Sequence, residues 1–357
     1  FITTNRAKME RKRSRSRSLG RDDFIPLPQQ PKAENLVSQM PWVTKEIIEL
    51  EDPLLQLHEE LINFHNLMQP TQDELDKIED VLRRLEVVVK GLWPDARVEV
   101  FGSVETGLWL PNSDIDVVVF TELEHDNKIL VNTLSSVLIR TRFACELERI
   151  LTARVPLVKM RDKGTQLCLD ISFNIENGIE GVRVVKEYLR KYPEAKYLIC
   201  VLKYFLKQRG LNETYNGGVG SFLLFCMVVS SLQHHPSRRL DSGNYERYTL
   251  GHYLLHFFKL YGDLFNFERV GISLRKHGHY FDKRQKGWDV SERKSLLAVE
   301  CPQNRENDLG RNSYAIDLVK KAFSHAYKLV CACGVSRRTT PLQTVIKLDP
   351  ILAARVL

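Results

Sequence analysis

The run Ser113–Phe120, SDIDVVVF, limits this chain more than any other stretch. Asp114 and Asp116 stand two residues apart at the head of an unbroken apolar run. In a strand, side chains at i and i+2 point to one face, so both carboxylates project together from one strand end. Two like charges that close are costly unless a cation holds them. Upstream, the β-prone Val98–Phe101 runs into Gly102-Ser103, a turn whose N–H groups and hydroxyl suit phosphate oxygens. Paired carboxylates beside a phosphate-cradling turn point to metal-assisted phosphoryl or nucleotidyl transfer.

A third carboxylate fits the same scheme. Asp170 lies inside the β-prone CLDISF, Cys168–Phe173, and Val155–Met160, VPLVKM, is a strand candidate ahead of it. Asp162-Lys163-Gly164 is turn-prone and joins the two into a hairpin. If this hairpin pairs beside SDIDVVVF, Asp170 completes a cluster able to hold two Mg²⁺ ions roughly 3.5–4 Å apart.

Size and composition allow this. The 357 residues are enough for two domains with cores, and no run of 18 uncharged apolar residues suggests a membrane span. Seven scattered cysteines, several in apolar runs, read as reduced thiols. Cys331-Ala332-Cys333 and His277-Gly278-His279 lack the partner pairs of a zinc site. The net charge of +7 is uneven: residues 1–25 hold eight Lys or Arg against three acids, so +5 of it sits there. The rest of the chain is near neutral, and a strong electrostatic pull on RNA must come from this arm or from a local groove.

Residues 1–41 read as a disordered Arg/Ser-rich basic arm, with Arg11–Ser18, RKRSRSRS, as a nuclear-localisation or RNA-contacting segment. Helical spacing predicts one helix over Asp52–Met68 and another over Thr71–Trp93, the latter with Thr71 and Glu74 as a capping box. Strands and helices alternate to about Glu180. Val182–Val330 is mostly helical, with a charged break over Leu274–Lys294. Within it, Lys203 and Lys207 are one turn apart on an apolar helix, a repulsion that a triphosphate would relieve. Gly217–Phe222, GGVGSF, opens another helix, where Ser221 is a candidate cap and phosphate ligand.

The order FGSVETGLWLPNSDIDVVVF, VPLVKM, LDISFN resembles the DNA polymerase β-like nucleotidyltransferase superfamily. More narrowly it is similar to the noncanonical poly(A) polymerases of the nuclear RNA-surveillance (TRAMP) type. The resemblance runs on through Tyr197–Pro236, Leu250–Gly262 and Glu306–Ile316, covering roughly residues 50 to 330. It implies an α+β, two-domain fold: a mixed-sheet polymerase β-like catalytic domain and a mostly helical central (PAP-associated) domain. The expected boundaries are 42–70 for an N-terminal helix of the central domain and 71–181 for the catalytic domain. Residues 182–335 form the central domain proper, and 336–357 a C-terminal extension or tail.

The same resemblance implies site roles. Asp114, Asp116 and Asp170 are the expected catalytic and metal-holding residues. Gly102, Ser103, Lys203, Lys207 and Ser221 are expected on phosphate, and Phe222 on the ring of the base. Where the family usually has tyrosine, Phe222 keeps the stacking face and loses the hydroxyl. Asn174 is expected on the sugar or base, and Asn307, Asp308 and Arg311 on the base edge. The loop carries no histidine, unlike the uridylyl-adding relatives, which favours ATP. Mg²⁺ or Mn²⁺ is the implied cofactor. RNA 3′ ends, a zinc-knuckle RNA-binding protein and an RNA helicase are the implied partners, in the nucleus and away from membranes. No RNA-recognition-motif signature is present, and little chain follows residue 330 to carry a further RNA-binding domain, so RNA grip is expected partly from partners. The rivals are a terminal uridylyltransferase, a catalytically silent RNA-binding scaffold and a template-directed repair polymerase.

Overall fold

A computed structural model of the chain describes residues 40–122, 126–238, 248–290, 292–333 and 339–355. The basic arm, apart from its last two residues, lies outside them. After a short helix α1 (Lys45–Glu49), Asp52 caps α2 (Pro53–Leu67) by accepting from Leu54 N–H. The expected capping box starts α3 (Gln72–Leu92): Thr71 accepts from Glu74 N–H, and the Glu74 carboxylate accepts from Thr71 N–H.

The five-stranded sheet follows. Its strands are β1 (Arg97–Phe101), β2 (Ile115–Phe120), β3 (Ala144–Ile150), β4 (Leu157–Asp162) and β5 (Cys168–Phe173), in spatial order β1-β2-β5-β4-β3. The five-residue helix α4 (Gly102–Thr106) leaves β1, and α5 (Asn127–Arg140) covers the sheet together with α3. β4 and β5 form the expected antiparallel hairpin, and β5 runs parallel to β2. Asp162 anchors the hairpin to α3: its buried carboxylate takes a two-pronged bond from Arg84, at 3.0 and 2.7 Å. That guanidinium holds the Asp162 pKa down against the opposing effect of burial.

Next come α6 (Glu176–Lys191), α7 (Ala195–Lys207), α8 (Ser221–Gln233), α9 (Leu250–Lys259), α10 (Ile316–Cys333) and the short α11 (Pro350–Ala353). The charged break expected over 274–294 is not a plain loop. It carries part of a three-stranded sheet of β6 (Val270–Ser273), β7 (His279–Asp282) and β8 (Ala298–Val299), in order β7-β6-β8. Two- to four-residue strands in so polar a segment show no period-2 pattern long enough to read.

Two apolar cores lie in one compact unit. One packs Val81, Leu85 and Val89 of α3 against Val117, Val119, Ile171 and Phe173 of the sheet. The other joins Leu57, Leu61 and Phe64 of α2 to α7–α10 and to Leu342, Val345, Ile346 and Leu352. So α2 and residues of the C-terminal segment both pack in the helical core. The boundary at 181 falls inside α6. Gly178 on its first turn packs under Phe101, where a Cβ would come within 2.8 Å of the ring, while Val185 belongs to the helical core.

Arg355 ties the junction between the two parts. Its guanidinium donates to Leu67 O (3.3 Å) and Gln69 O (2.7 Å), and reaches Glu74 at 2.5 Å. Buried Glu60 does similar work in the helical core, accepting from Trp42 Nε1 (3.1 Å), Leu342 N (2.8 Å) and the Thr340 hydroxyl.

Candidate active site

Strand register builds the carboxylate cluster. Asp116 on β2 is the direct partner of Asp170 on β5, and Asp170 is in turn the partner of Lys159 on β4. Direct partners share a sheet face, and Asp114 shares it by the i, i+2 rule. Burial, then the charges of Asp170 and Asp114, push the Asp116 carboxyl up to about 6. Asp170 is also raised, chiefly by burial, and its buried Oδ1 has no hydrogen-bond partner. Lys159 stands among them, with Nζ 2.6 Å from Asp114 and 3.4 Å from Asp170. Burial opposes its charge, but the two carboxylates more than offset this and raise its pKa.

The glycine of the turn has a steric reason. Gly102 has φ +67°, and a Cβ there would lie 2.0 Å from Asp116 Oδ2. The chain thus passes directly over the carboxylate, and only glycine permits it. Ser103 follows on the same cleft wall.

The cluster opens into a cleft of about 650 Å³ between the sheet and the helical part. Its lining includes Gly102, Ser103, the three aspartates, Lys203, Lys207, Ser221 and Phe222. Lys203 and Lys207 lean on the loop after α4, donating to Leu108 O (2.8 Å) and Pro111 O (3.3 Å). Burial lowers both, Lys203 to about 8. Phe222 stacks on Phe225 at 5.7 Å between centroids. Ser221 is the first residue of α8 and forms no cap. Gly220 occupies that position, so the Ser221 side chain is left to the cleft.

Four expected residues lie elsewhere. Asn174 sits at φ 52° just past β5, and its Oδ1 accepts from Thr121 N–H at 3.0 Å. It closes a turn beside a separate hollow with Arg97 and Phe120, a left-handed position that asparagine tolerates well. Asp308 turns inward, its Oδ1 accepting from Val299 N (2.9 Å) and Gly310 N (2.8 Å). Asn307 and Arg311 do not line the cleft either. From residues 301–311 the lining residue is Gln303.

Two residues at the site carry no reading in the sequence. Lys159, which contacts the carboxylates without lining the cleft, is the one charge of VPLVKM, a signal that means little until its register against Asp170 is known. Gln303 carried no signal, since a polar residue in a polar loop is unremarkable.

The donor set tests well for a divalent metal. It is all carboxylate oxygen, the kind of ligand Mg²⁺ and Mn²⁺ take; burial raises both Asp116 and Asp170, and the buried Asp170 Oδ1 has no hydrogen bond, only the Lys159 ammonium at 3.4 Å. Among the described residues no three such groups are already drawn to metal-holding spacing, and the Lys159 ammonium supplies the neutralising charge.

Two family models match the sequence. One describes the central palm domain of a mitochondrial-like poly(A) RNA polymerase, over residues 57–190. The other describes the Cid1 family of poly(A) polymerases, over residues 249–307. The polymerase core of TRAMP, an RNA surveillance complex, superposes with a TM-score of 0.76 at 30% identity, over 87% of this chain and 96% of that one. The chain belongs to the noncanonical poly(A) RNA polymerase family. Another member, poly(A) RNA polymerase CID14 of Cryptococcus neoformans, is 36% identical over 90% of this chain and 42% of its own length. A third is a Drosophila melanogaster protein named as inactive, Trf4-2, 36% identical over 77% of this chain and 68% of its own. The chain spans less than half the length of CID14 and of its Schizosaccharomyces pombe counterpart. Crystal structures of Cid1 poly(U) polymerase share the fold, with a TM-score of 0.66 at 23% identity.

Proposed function

We propose that the chain is a template-independent RNA 3′-adenylyltransferase that adds AMP from ATP to RNA 3′ ends. Since a relative named inactive is as similar as the others, similarity alone does not assign activity. The observation that carries the reading is the cross-strand pair Asp116–Asp170, with Asp114 beside it, at the floor of a cleft lined by two lysines.

The reaction joins the RNA 3′-oxygen to the α-phosphorus, breaks the α–β phosphoanhydride bond and releases pyrophosphate. Mg²⁺ or Mn²⁺, held by Asp114, Asp116 and Asp170, would neutralise phosphate charge and make the 3′-hydroxyl easier to deprotonate. Asp170 helps take up the hydroxyl proton. Lys203, Lys207, Ser103 and Ser221 hold the triphosphate, and Phe222 stacks on the base. The rate gain is mostly positioning and charge stabilisation.

The likeness to the polymerase core of TRAMP, an RNA surveillance complex, supports a place in RNA surveillance; a nuclear setting, with a zinc-knuckle RNA-binding protein and an RNA helicase as partners, is part of the same proposal. Among the described residues no helix is long and apolar enough to cross a membrane. The deciding assay uses purified protein, an oligo(A) primer and each NTP separately, with Mg²⁺ or Mn²⁺. Extension with ATP is expected. Extension with UTP alone would make the chain a uridylyltransferase, and none with any NTP would make it a silent scaffold.

A further inference from the structure

We propose that Gln303 selects the base, presenting a fixed donor–acceptor pair that admits adenine and cytosine and rejects guanine and uracil. This rests on reading the cleft as a nucleoside triphosphate site.

Gln303 is held from two sides. Its Nε2 donates to Asn177 O at 2.9 Å, and its Oε1 accepts from the Cys301 thiol, Sγ to Oε1 3.7 Å. A carbonyl oxygen only accepts, so the atom facing Asn177 must be nitrogen, and the amide has one orientation. Asn177 lies on the first turn of α6, next to the sheet, whereas Gln303 belongs to the loop after β8. One side chain therefore bridges both walls of the cleft.

The loop behind it is rigid. The Lys286 ammonium bonds both the buried Glu300 carboxylate and Arg305 O (3.1 Å). The Asp308 carboxylate pins Val299 and Gly310. These contacts fix where the Gln303 amide stands, which makes it a reading group rather than a mobile one.

A primary amide has two N–H donors and two acceptor lone pairs. Asn177 and Cys301 take one of each. One N–H and one lone pair remain, on adjacent atoms at the cleft wall. Adenine offers an amino donor beside a ring-nitrogen acceptor, the pattern that glutamine pairs with. Cytosine offers the same order. Guanine and uracil carry an oxygen where the amino group would be and an N–H beside it, so both contacts clash. With the triphosphate held at the lysines and the ring stacked on Phe222, the base edge cannot turn over to correct this.

The test measures dissociation constants for ATP, CTP, GTP and UTP with Mg²⁺, on wild-type, Gln303→Met and Gln303→Glu proteins. Each variant is checked by circular dichroism. Wild type should bind ATP and CTP over GTP and UTP. Both variants should lose this gap by roughly 5- to 150-fold, the cost of a polar group covered by the bound base and left unpaired, while the ATP-to-CTP ratio stays near its wild-type value. An unchanged gap in either folded variant overturns the proposal, and so does an ATP-to-CTP ratio that moves as far as the ATP-to-UTP ratio. Binding is read without turnover, so a protein that selects ATP and CTP through Gln303 but extends no primer upholds this proposal and sinks the adenylyltransferase reading.

Discussion

Asp116 and Asp170 face each other as direct partners on two parallel strands, with Gly102 passing over Asp116 so closely that no side chain fits between. The site is thus a place where three stretches of chain are forced together around unbalanced negative charge. The folded state tolerates this because Lys159 is there and because a metal can be.

Removing either carboxylate should separate activity from stability. Asp116→Asn and Asp170→Asn are expected to cut tailing by more than ~100-fold, beyond the loss typical of groups one shell further out. Asp116 is raised to about 6 from an ordinary 3.8, so its proton is held more tightly in the folded chain. Metal-free stability should therefore fall as pH rises from about 4 to 6, and Asp116→Asn should restore on the order of 2–3 kcal/mol at neutral pH. Thermal melts with and without Mg²⁺ check this. A variant that tails normally, or one that melts well below wild type, contradicts the assignment.

Gly102→Ala should be more damaging than its size suggests. The new methyl group would lie 2.0 Å from Asp116 Oδ2, on a backbone at φ +67°. The backbone conflict alone costs more than about 1 kcal/mol, and displacing Asp116 should abolish tailing. A folded, active Gly102→Ala protein would show that the turn relaxes without disturbing the carboxylate.

Lys203 gives a pH signature. Burial brings it down to about 8, so the free protein loses this charge as pH rises past 8. ATP binding should then weaken above pH 8, and apparent KM for ATP should climb between pH 8 and 9.5. Lys203→Arg stays charged, and its KM should remain flat over that range. Equal pH dependence in both proteins would remove Lys203 from the triphosphate.

Lys159→Met should lower the metal-free melting temperature, because three carboxylates lose their neutralising ammonium. It should also enlarge the stabilisation gained on adding Mg²⁺, since a competing cation is gone. Differential scanning fluorimetry across a Mg²⁺ titration reads both effects; a smaller Mg²⁺ response than wild type would show that Lys159 supports metal binding instead.

What sequence disclosed and what it withheld divide along one line. The Asp114–Asp116 spacing, the β4–β5 hairpin and the Thr71–Glu74 capping box are local patterns, and each appears where the residues put it. Lys159 and Gln303 each take a partner that folding brings near, Asp114 and Asn177, 45 and 126 residues away. Asn174 and Asp308 show the converse: their side chains are spent on backbone N–H groups outside the cleft, Asn174 on Thr121 at the end of the neighbouring strand and Asp308 on Gly310 in its own turn.

The Arg355 clamp sets an order of events for a chain being made. Glu74 begins the first long helix of the catalytic part, and its partner comes 281 residues later. At roughly 5–20 residues per second, a ribosome needs about 15–60 s to cover that distance. Strand β5 ends at Phe173, so for the last 182 residues of that distance, about 9–36 s, the sheet and its carboxylates can be complete while the junction with α2 stays unfastened. Closure over so long a loop is entropically slow. The nascent chain therefore owns a finished carboxylate floor well before its two halves are buckled together.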